Sequence, residues 1–393
     1  MPEEEKKKSS LRIRSIDLLR GLFIMLMIIS HGFSYWLIPS NIWLFAIEGP
    51  VFGTIAMFGF VFISGVGFGY SWSREAQNPS SGNNQSLKSL SHTLALLLVA
   101  ICYNVAYTIA MGDNALGIIS WQILQCLAVC RLLSLLFIRV KKYTRFAIGL
   151  GLVAFGSLLL NLINFGHTNN LAAQFLFLIL YKPLEYYPIL IYFPIFLFGT
   201  VLGEDFNKMA QNPATVAQLG KNWFLYGAWS LFTGILLGLQ KETVTPYNGR
   251  DFLSMLNTNP SFHITTYPLL FDINSYAWCF FYCGLIVVLS ITLFYYLDLK
   301  NMGKNAPIPG QKGILDLYGR YSLTIFLGHY MAFLIPPLWD ASGIWLPTLA
   351  LVLVVWLAIW VLDKKGKGKY SLEFMLSIMG DYFYQNLKKK MEQ

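Results

Sequence analysis

Asp17, Arg20 and His31 lie in the chain's first long apolar run, Arg14-Ser-Ile-Asp-Leu-Leu-Arg-Gly-Leu-Phe-Ile-Met-Leu-Met-Ile-Ile-Ser-His31. Hydrocarbon penalises an acid, a base and an imidazole, so their presence in such a run calls for a role. At about 100° per helical residue the three share one stripe about 60° wide, and about 21 Å of rise separates Asp17 from His31. In a hydrocarbon core about 30 Å thick, with Asp17 at one edge, His31 lies beyond the midplane. A histidine so placed can act as general base, as proton relay or as a packing residue with one satisfied hydrogen bond. Asp17 and Arg20, three residues apart, form an ion pair that either fixes the helix end or holds an anionic ligand. These three are the candidate catalytic residues.

A second histidine, His329, closes the run Tyr318-Gly-Arg-Tyr-Ser-Leu-Thr-Ile-Phe-Leu-Gly-His-Tyr330. On a straight helix Arg320 and His329 point to opposite sides, so either one faces elsewhere or the helix is irregular near Gly328. Gln122, Gln125 and Arg131 make a polar face on another apolar run, where hydrogen bonding between helices is the simplest role. Glu48, Gln125, His263 and His329 are the candidate substrate-binding residues. Arg20, and with it Arg74, Arg320 and Lys88, could hold an anionic ligand at the cytoplasmic face.

The elements that position these residues are helices in a membrane. The chain has 393 residues, 55% hydrophobic and 12% charged, against about 25% charged in soluble domains. Near-continuous apolar runs of about 20 residues predict an all-α, polytopic bundle of about ten transmembrane helices. They fall near 17–38, 50–72, 92–111, 115–138, 146–165, 186–203, 221–239, 275–297, 316–336 and 344–362. The first exceeds a signal-peptide core of about 7–15 residues and is read as a retained span. The segment 171–181 could span, re-enter or lie in the interface. Residues 240–274 form the longest non-spanning stretch and hold His263, Asp251 and Asp272. A cytoplasmic tail covers 1–16, the membrane domain 17–363 and a basic cytoplasmic tail 364–393.

Orientation follows from the charges. With the N-terminus inside, all of the 29 Lys and Arg fall on cytoplasmic segments or helix starts except Arg131, Lys182, Lys241 and Arg250. That asymmetry places both termini in the cytoplasm. It also accounts for the +9 charge without a nucleic-acid partner, since no single domain gathers the basic residues. The five cysteines all sit in apolar runs, without metal-ligand or Cys-x-x-Cys spacing, so no metal is expected. Gly65, Gly67 and Gly69 lie within a span and mark close helix packing rather than a phosphate loop.

Ordered motifs from about residue 12 to 335 resemble the heparan-alpha-glucosaminide N-acetyltransferase-like family and, more broadly, the transmembrane acyltransferases. They are Arg12-x-x-x-Ile-Asp-x-x-Arg-Gly21 with His31, Phe60-Val-Phe-Ile-Ser-Gly65, and Trp121-Gln-Ile-Leu-Gln-Cys126. Tyr192-Phe-Pro-Ile-Phe-Leu-Phe-Gly-Thr-Val-Leu-Gly203 and Gly319-Arg-Tyr-Ser-Leu-Thr-Ile-Phe-Leu-Gly-His329 complete the set. The closing Lys369-Tyr-Ser-Leu-Glu-Phe374 is similar to a related family of membrane proteins. The resemblance implies transfer of an acetyl group from cytoplasmic acetyl-CoA to an amine or hydroxyl of an external sugar or glycoconjugate, with a histidine as the acyl-transfer residue. There is one departure. In the animal lysosomal enzymes the active-site histidine lies further along than the position His31 matches, and here that region reads Ile38-Pro-Ser-Asn-Ile-Trp43. Heparan itself is therefore not the expected acceptor. The implied partners are membrane lipid, acyl-CoA and the sugar acceptor, with oligomeric state left open. The alternative reading of the same polar stripe is a transporter or flippase for a small polar or lipid-linked solute.

Overall fold

A computed structural model describes residues 13–41, 44, 48–77, 84–111, 122–166, 189–238, 276–299, 313–334, 339–366 and 368–392. The described residues are almost entirely helical, with one isolated parallel bridge, between Leu37 and Trp339. The segments 171–181 and 240–274 lie outside the described residues.

The helices are α1 (Arg14–Trp36), α2 (Thr54–Glu75), α3 (Asn84–Met111), α4 (Ile123–Phe137), α5 (Lys142–Gly166) and α6 (Ile189–Gln211). They continue with α7 (Val216–Gly238), α8 (Tyr276–Leu293), α9 (Ile314–Arg320), α10 (Ser322–Gly328), α11 (Trp345–Gly366) and α12 (Leu372–Met391). Six are long and apolar enough to cross a membrane: α1, α3, α6, α11, α2 with its lead-in from Val51, and α8 with its extension to Leu299. Among the described residues these six are found, and the expected count of about ten is not confirmed. The fourth expected span is a helix of only 15 residues. The ninth is interrupted at Tyr321 (φ −111°, ψ 33°) and tightens into a 3-10 turn at His329–Leu334. The helices α5 and α7 are long but fall outside the six.

The closest pairing joins α2 to α6, and glycine explains it. A Cβ on Gly65 or Gly69 would run into the backbone carbonyls of Phe196 or Thr200, and one on Gly199 or Gly203 into those of Phe62 or Val66. Each helix thus offers two glycines one turn apart, and the backbones meet with nothing between them. The remaining glycine of the α2 run, Gly67, turns away and leaves room for the Arg20 guanidinium. A second intimate crossing sets Gly21 of α1 against the Leu315 carbonyl and Gly319 of α9 against the Asp17 carbonyl. These contacts put α1 at the centre, touching α2, α9, α10 and α11.

Carboxylates from elsewhere in the chain secure the helix starts. Ile13, at the N-cap of α1, supplies no side-chain cap. The buried Asp298 carboxylate instead accepts from the amides of Arg14 (2.8 Å) and Ser15 (3.1 Å), meeting two donors that a helix start leaves open. The Arg14 guanidinium in turn binds Asp316 at 3.2 Å. On the far side of the bundle Asp205 binds Lys142 at 2.8 Å and the Trp223 indole at 3.0 Å, locking α5, α6 and α7 together. At the other end of α1, backbone bonds Ile38 to Trp339 (2.9 Å) and Trp339 to Trp36 (3.2 Å) tie its exit to the approach of α11.

Candidate functional site

His31 and His329 meet. The Nδ1 of His31 lies 2.8 Å from the Nε2 of His329, with the rings 14° from parallel. Two elements bring this about. The uninterrupted α1 carries His31 through the bundle, and His329 follows the broken helix α9–α10 at the start of a 3-10 turn. Arg320 and His329 face different partners, Asp363 and His31, so they do not share one cavity.

The bonding pattern assigns the protons. His329 Nδ1 lies 3.1 Å from the Ile325 carbonyl. A carbonyl only accepts, so in the neutral pair His329 carries its proton on Nδ1 and leaves Nε2 bare. The bare Nε2 must accept, so His31 donates from Nδ1. His31 Nε2 is then the nitrogen with a free lone pair. The chain of bonds thus runs from His31 through His329 to a backbone carbonyl, and its output is one basic nitrogen. His329 is 2% exposed, whereas His31 retains some accessible surface.

Aromatic rings enclose the pair. Tyr330 lies 5.1 Å from the His31 ring centre, Tyr35 6.0 Å and Phe333 6.1 Å. Tyr103 and Tyr107 of α3 extend the wall through Tyr330 and Phe326. Such a wall keeps the local dielectric low, which strengthens every charge interaction made at the imidazoles.

The other expected residues separate into distinct places. Asp17 and Arg20 pair at 3.9 Å near the start of α1. They lie about 16–21 Å of helix rise from His31, so they cannot touch atoms reacting there. They stay at the opposite end of the stripe from His31, as the rise along the helix requires. Arg74 occupies the last turn of α2 and is half-buried. Arg320 is bound to Asp363 at 3.1 Å through one nitrogen and is otherwise exposed. Gln125 accepts from the Asn104 amide and joins α3 to α4. Gln122 is not on the α4 face at all; it is the extended residue before the helix (ψ 158°). Arg131 is stacked over Phe68 at 5.2 Å, and its Nε has no hydrogen-bond partner among the described residues. His263 lies outside the described residues.

Glu48 is 4% exposed and receives the Ser30 hydroxyl at 3.3 Å. Its Oε1 is buried without a hydrogen-bond partner. Burial pushes this carboxyl up to about 7, with the Ser30 bond offsetting part of the effect. Ser30 precedes His31, so Glu48 is anchored to the same turn of α1. Among the described residues no group of three or more His, Cys, Asp or Glu is arranged to hold a metal ion.

The pairing of His31 with His329 is the feature that sequence reasoning treated only as two separate candidates. The available signal was the Tyr318–Tyr330 run itself, whose Gly328 and two-sided polarity mark an irregular helix.

Residues 12–236 match the catalytic-domain model of heparan-alpha-glucosaminide N-acetyltransferase. The match spans more than half of the chain, and the chain belongs to this family of membrane acetyltransferases, which use acetyl-CoA as donor. No curated protein matches it. The six apolar helices and the family together mark a multi-pass membrane protein. The matched region holds His31, Glu48, Arg74 and Gln125, while His329 lies beyond it.

Proposed function

We propose that this member of the heparan-alpha-glucosaminide N-acetyltransferase family moves an acetyl group from cytoplasmic acetyl-CoA to an amine or hydroxyl of a sugar or glycoconjugate on the external side. The observation that carries the reading is the His31–His329 pair, which leaves one bare ring nitrogen inside an aromatic enclosure.

The chemistry follows from the proton assignment. An acceptor hydroxyl or amine attacks the thioester carbonyl while His31 Nε2 removes its proton. The carbon–oxygen or carbon–nitrogen bond forms, the carbon–sulfur bond breaks, and the proton on His31 passes to the departing thiolate of coenzyme A. The same nitrogen can attack the thioester itself and pass the acetyl group on in a second step. In either route His31 carries positive charge in transit, and its Nδ1–H bond to His329 becomes charge-assisted and stronger. The pair therefore stabilises the charged base.

Arg20, Arg74 and Arg320, with Lys88, suit the nucleotide end of the donor, since guanidinium and ammonium groups at the cytoplasmic end answer its phosphates. The distance along α1 from Arg20 to His31 is the length an extended pantetheine arm would cover. No observation favours the transport reading over this one.

The test is reconstitution of the full chain in vesicles with labelled acetyl-CoA inside and amino sugars or glycans outside. Parent protein should label the external acceptor, and His31→Ala should abolish the transfer. Transfer by His31→Ala at the parent rate would overturn the mechanism, and coenzyme-independent solute uptake would overturn the activity.

A further inference from the structure

The break between α9 and α10, about two turns before His329, is held by two carboxylates from late in the chain. Asp363, at the end of α11, accepts from Arg320 (3.1 Å) and from the Tyr321 hydroxyl (2.6 Å), so it grips the α9 side of the break. Glu373, in the first turn of α12, grips the α10 side. Its Oε1 accepts from the amides of Leu323 (2.6 Å) and Thr324 (3.1 Å), and its Oε2 accepts from the Thr324 hydroxyl (2.5 Å). The Thr324 oxygen accepts in return from the Leu372 amide at 2.9 Å. The corner joining α11 to α12 is itself fixed. Gly368 takes φ +80°, and the Ser371 hydroxyl bonds its carbonyl at 2.8 Å and caps α12 through the Phe374 amide at 3.2 Å.

A helix that restarts after a break has amides with no carbonyl one turn back. In a bundle that excludes water, such donors must be met from elsewhere. Glu373 meets two of them. The residue after Thr324 is Ile325, whose carbonyl holds His329 Nδ1. A continuous set of bonds therefore runs from the Glu373 carboxylate through the first turn of α10 to Ile325, then to His329 and His31. Nothing in this set lies within residues 12–236 except His31.

We infer that Glu373 is a positioning residue of the acyl-transfer site, acting through Thr324 and Ile325 to fix the ring orientation and tautomer of His329 and hence the basic nitrogen of His31. The inference rests on the acyltransferase reading for its kinetic consequence but not for its structural one. A carboxylate that only stabilised the fold would leave the histidine pair intact in whatever protein folds; a positioning carboxylate would not.

The experiment uses the full chain in lipid nanodiscs, with Glu373→Ala, Glu373→Gln and Thr324→Val. Two quantities are read: kcat and KM for acetyl-CoA, and the ring-nitrogen NMR shifts of isotope-labelled histidine, which report tautomer and hydrogen bonding. Glu373→Ala should lower kcat about tenfold to a hundredfold, the loss expected when a reacting group is misplaced by a fraction of an ångström to an ångström. KM should stay unchanged, and the His31 and His329 signals should lose their paired pattern. Glu373→Gln, whose carbonyl oxygen can still accept from both amides, should restore most of kcat and the paired pattern. Thr324→Val removes one partner of Glu373 and should move both readouts in the same direction, and it carries the test if Glu373→Ala does not fold. Parent-like kcat and histidine spectra in folded Glu373→Ala or Thr324→Val would overturn the inference, as would equal losses in the Ala and Gln variants. If the parent itself transfers no acetyl group, the acyltransferase reading fails, and the histidine spectra alone decide the positioning role.

Discussion

Replacing His329 with phenylalanine keeps a ring of similar size among Phe326, Tyr330 and Phe333 while removing the nitrogen that orients His31. Its effect follows from the charge that His31 acquires in transit. A hydrogen bond to a charged group contributes about 1.5–3 kcal/mol. Losing it from the transition state lowers kcat by about 10- to 150-fold at about 1.4 kcal/mol per decade. The loss falls on kcat, because the neutral pair present when acetyl-CoA binds gains less from the bond than the charged pair does. Steady-state acetyl transfer in proteoliposomes measures both constants. A cycle with His31→Ala adds a second check: if His329 works only through His31, the double variant is no slower than His31→Ala alone. A parent-like kcat for His329→Phe, or losses that add in the double variant, would refute the assignment of His329 as the orienting partner.

Three further outcomes follow from the packing and the charges. Gly65→Ala combined with Gly199→Ala forces α2 and α6 apart at their backbone contact and should cost about 1–3 kcal/mol, read as a lower midpoint of thermal unfolding in detergent; an unchanged midpoint would show that the crossing tolerates a wider gap. Asp298→Ala leaves the Arg14 and Ser15 amides without their acceptor and should cost about 1–3 kcal/mol, with faster hydrogen exchange confined to the first turn of α1. Glu48 is raised from 4.5 to about 7 in the folded chain, so between those values the unfolded chain releases a proton that the folded chain keeps. Stability from this group is full below about pH 4.5, falls as pH rises towards about 7 and is flat above it. Glu48→Gln should remove that slope and raise the unfolding midpoint at pH above 7 relative to the parent, and an unaltered pH profile would contradict the buried placement.

The membrane class, the polar stripe of α1 and the glycine packing of α2 were legible in the residues, because each rests on a local period or on composition. The ordered motifs around His31 were enough to suggest the family. The site itself was not. His31 and His329 are 298 positions apart, and a wheel drawn for a straight helix sets His329 opposite Arg320. The structure keeps them apart, with Arg320 on Asp363 and His329 on His31, and the carboxylates that hold the break at Tyr321 come from the last residue of the expected membrane domain, Asp363, and from the stretch that composition marks as a basic tail, Glu373. The separation of Asp17 from His31 was legible, because rise along a helix follows from residue count alone. The partner of Arg320, Asp363, was not, since it lies 43 positions on.

The histidine pair joins the first helix of the chain to one near its end. During synthesis α1 leaves the ribosome and enters the bilayer long before α10 exists, and α12 follows later still. A nascent chain thus holds His31 without the partner that assigns its proton, and a chain cut short before residue 373 lacks the clasp that would aim that partner. The pair and its clasp are thus assembled only after both α10 and α12 have been made.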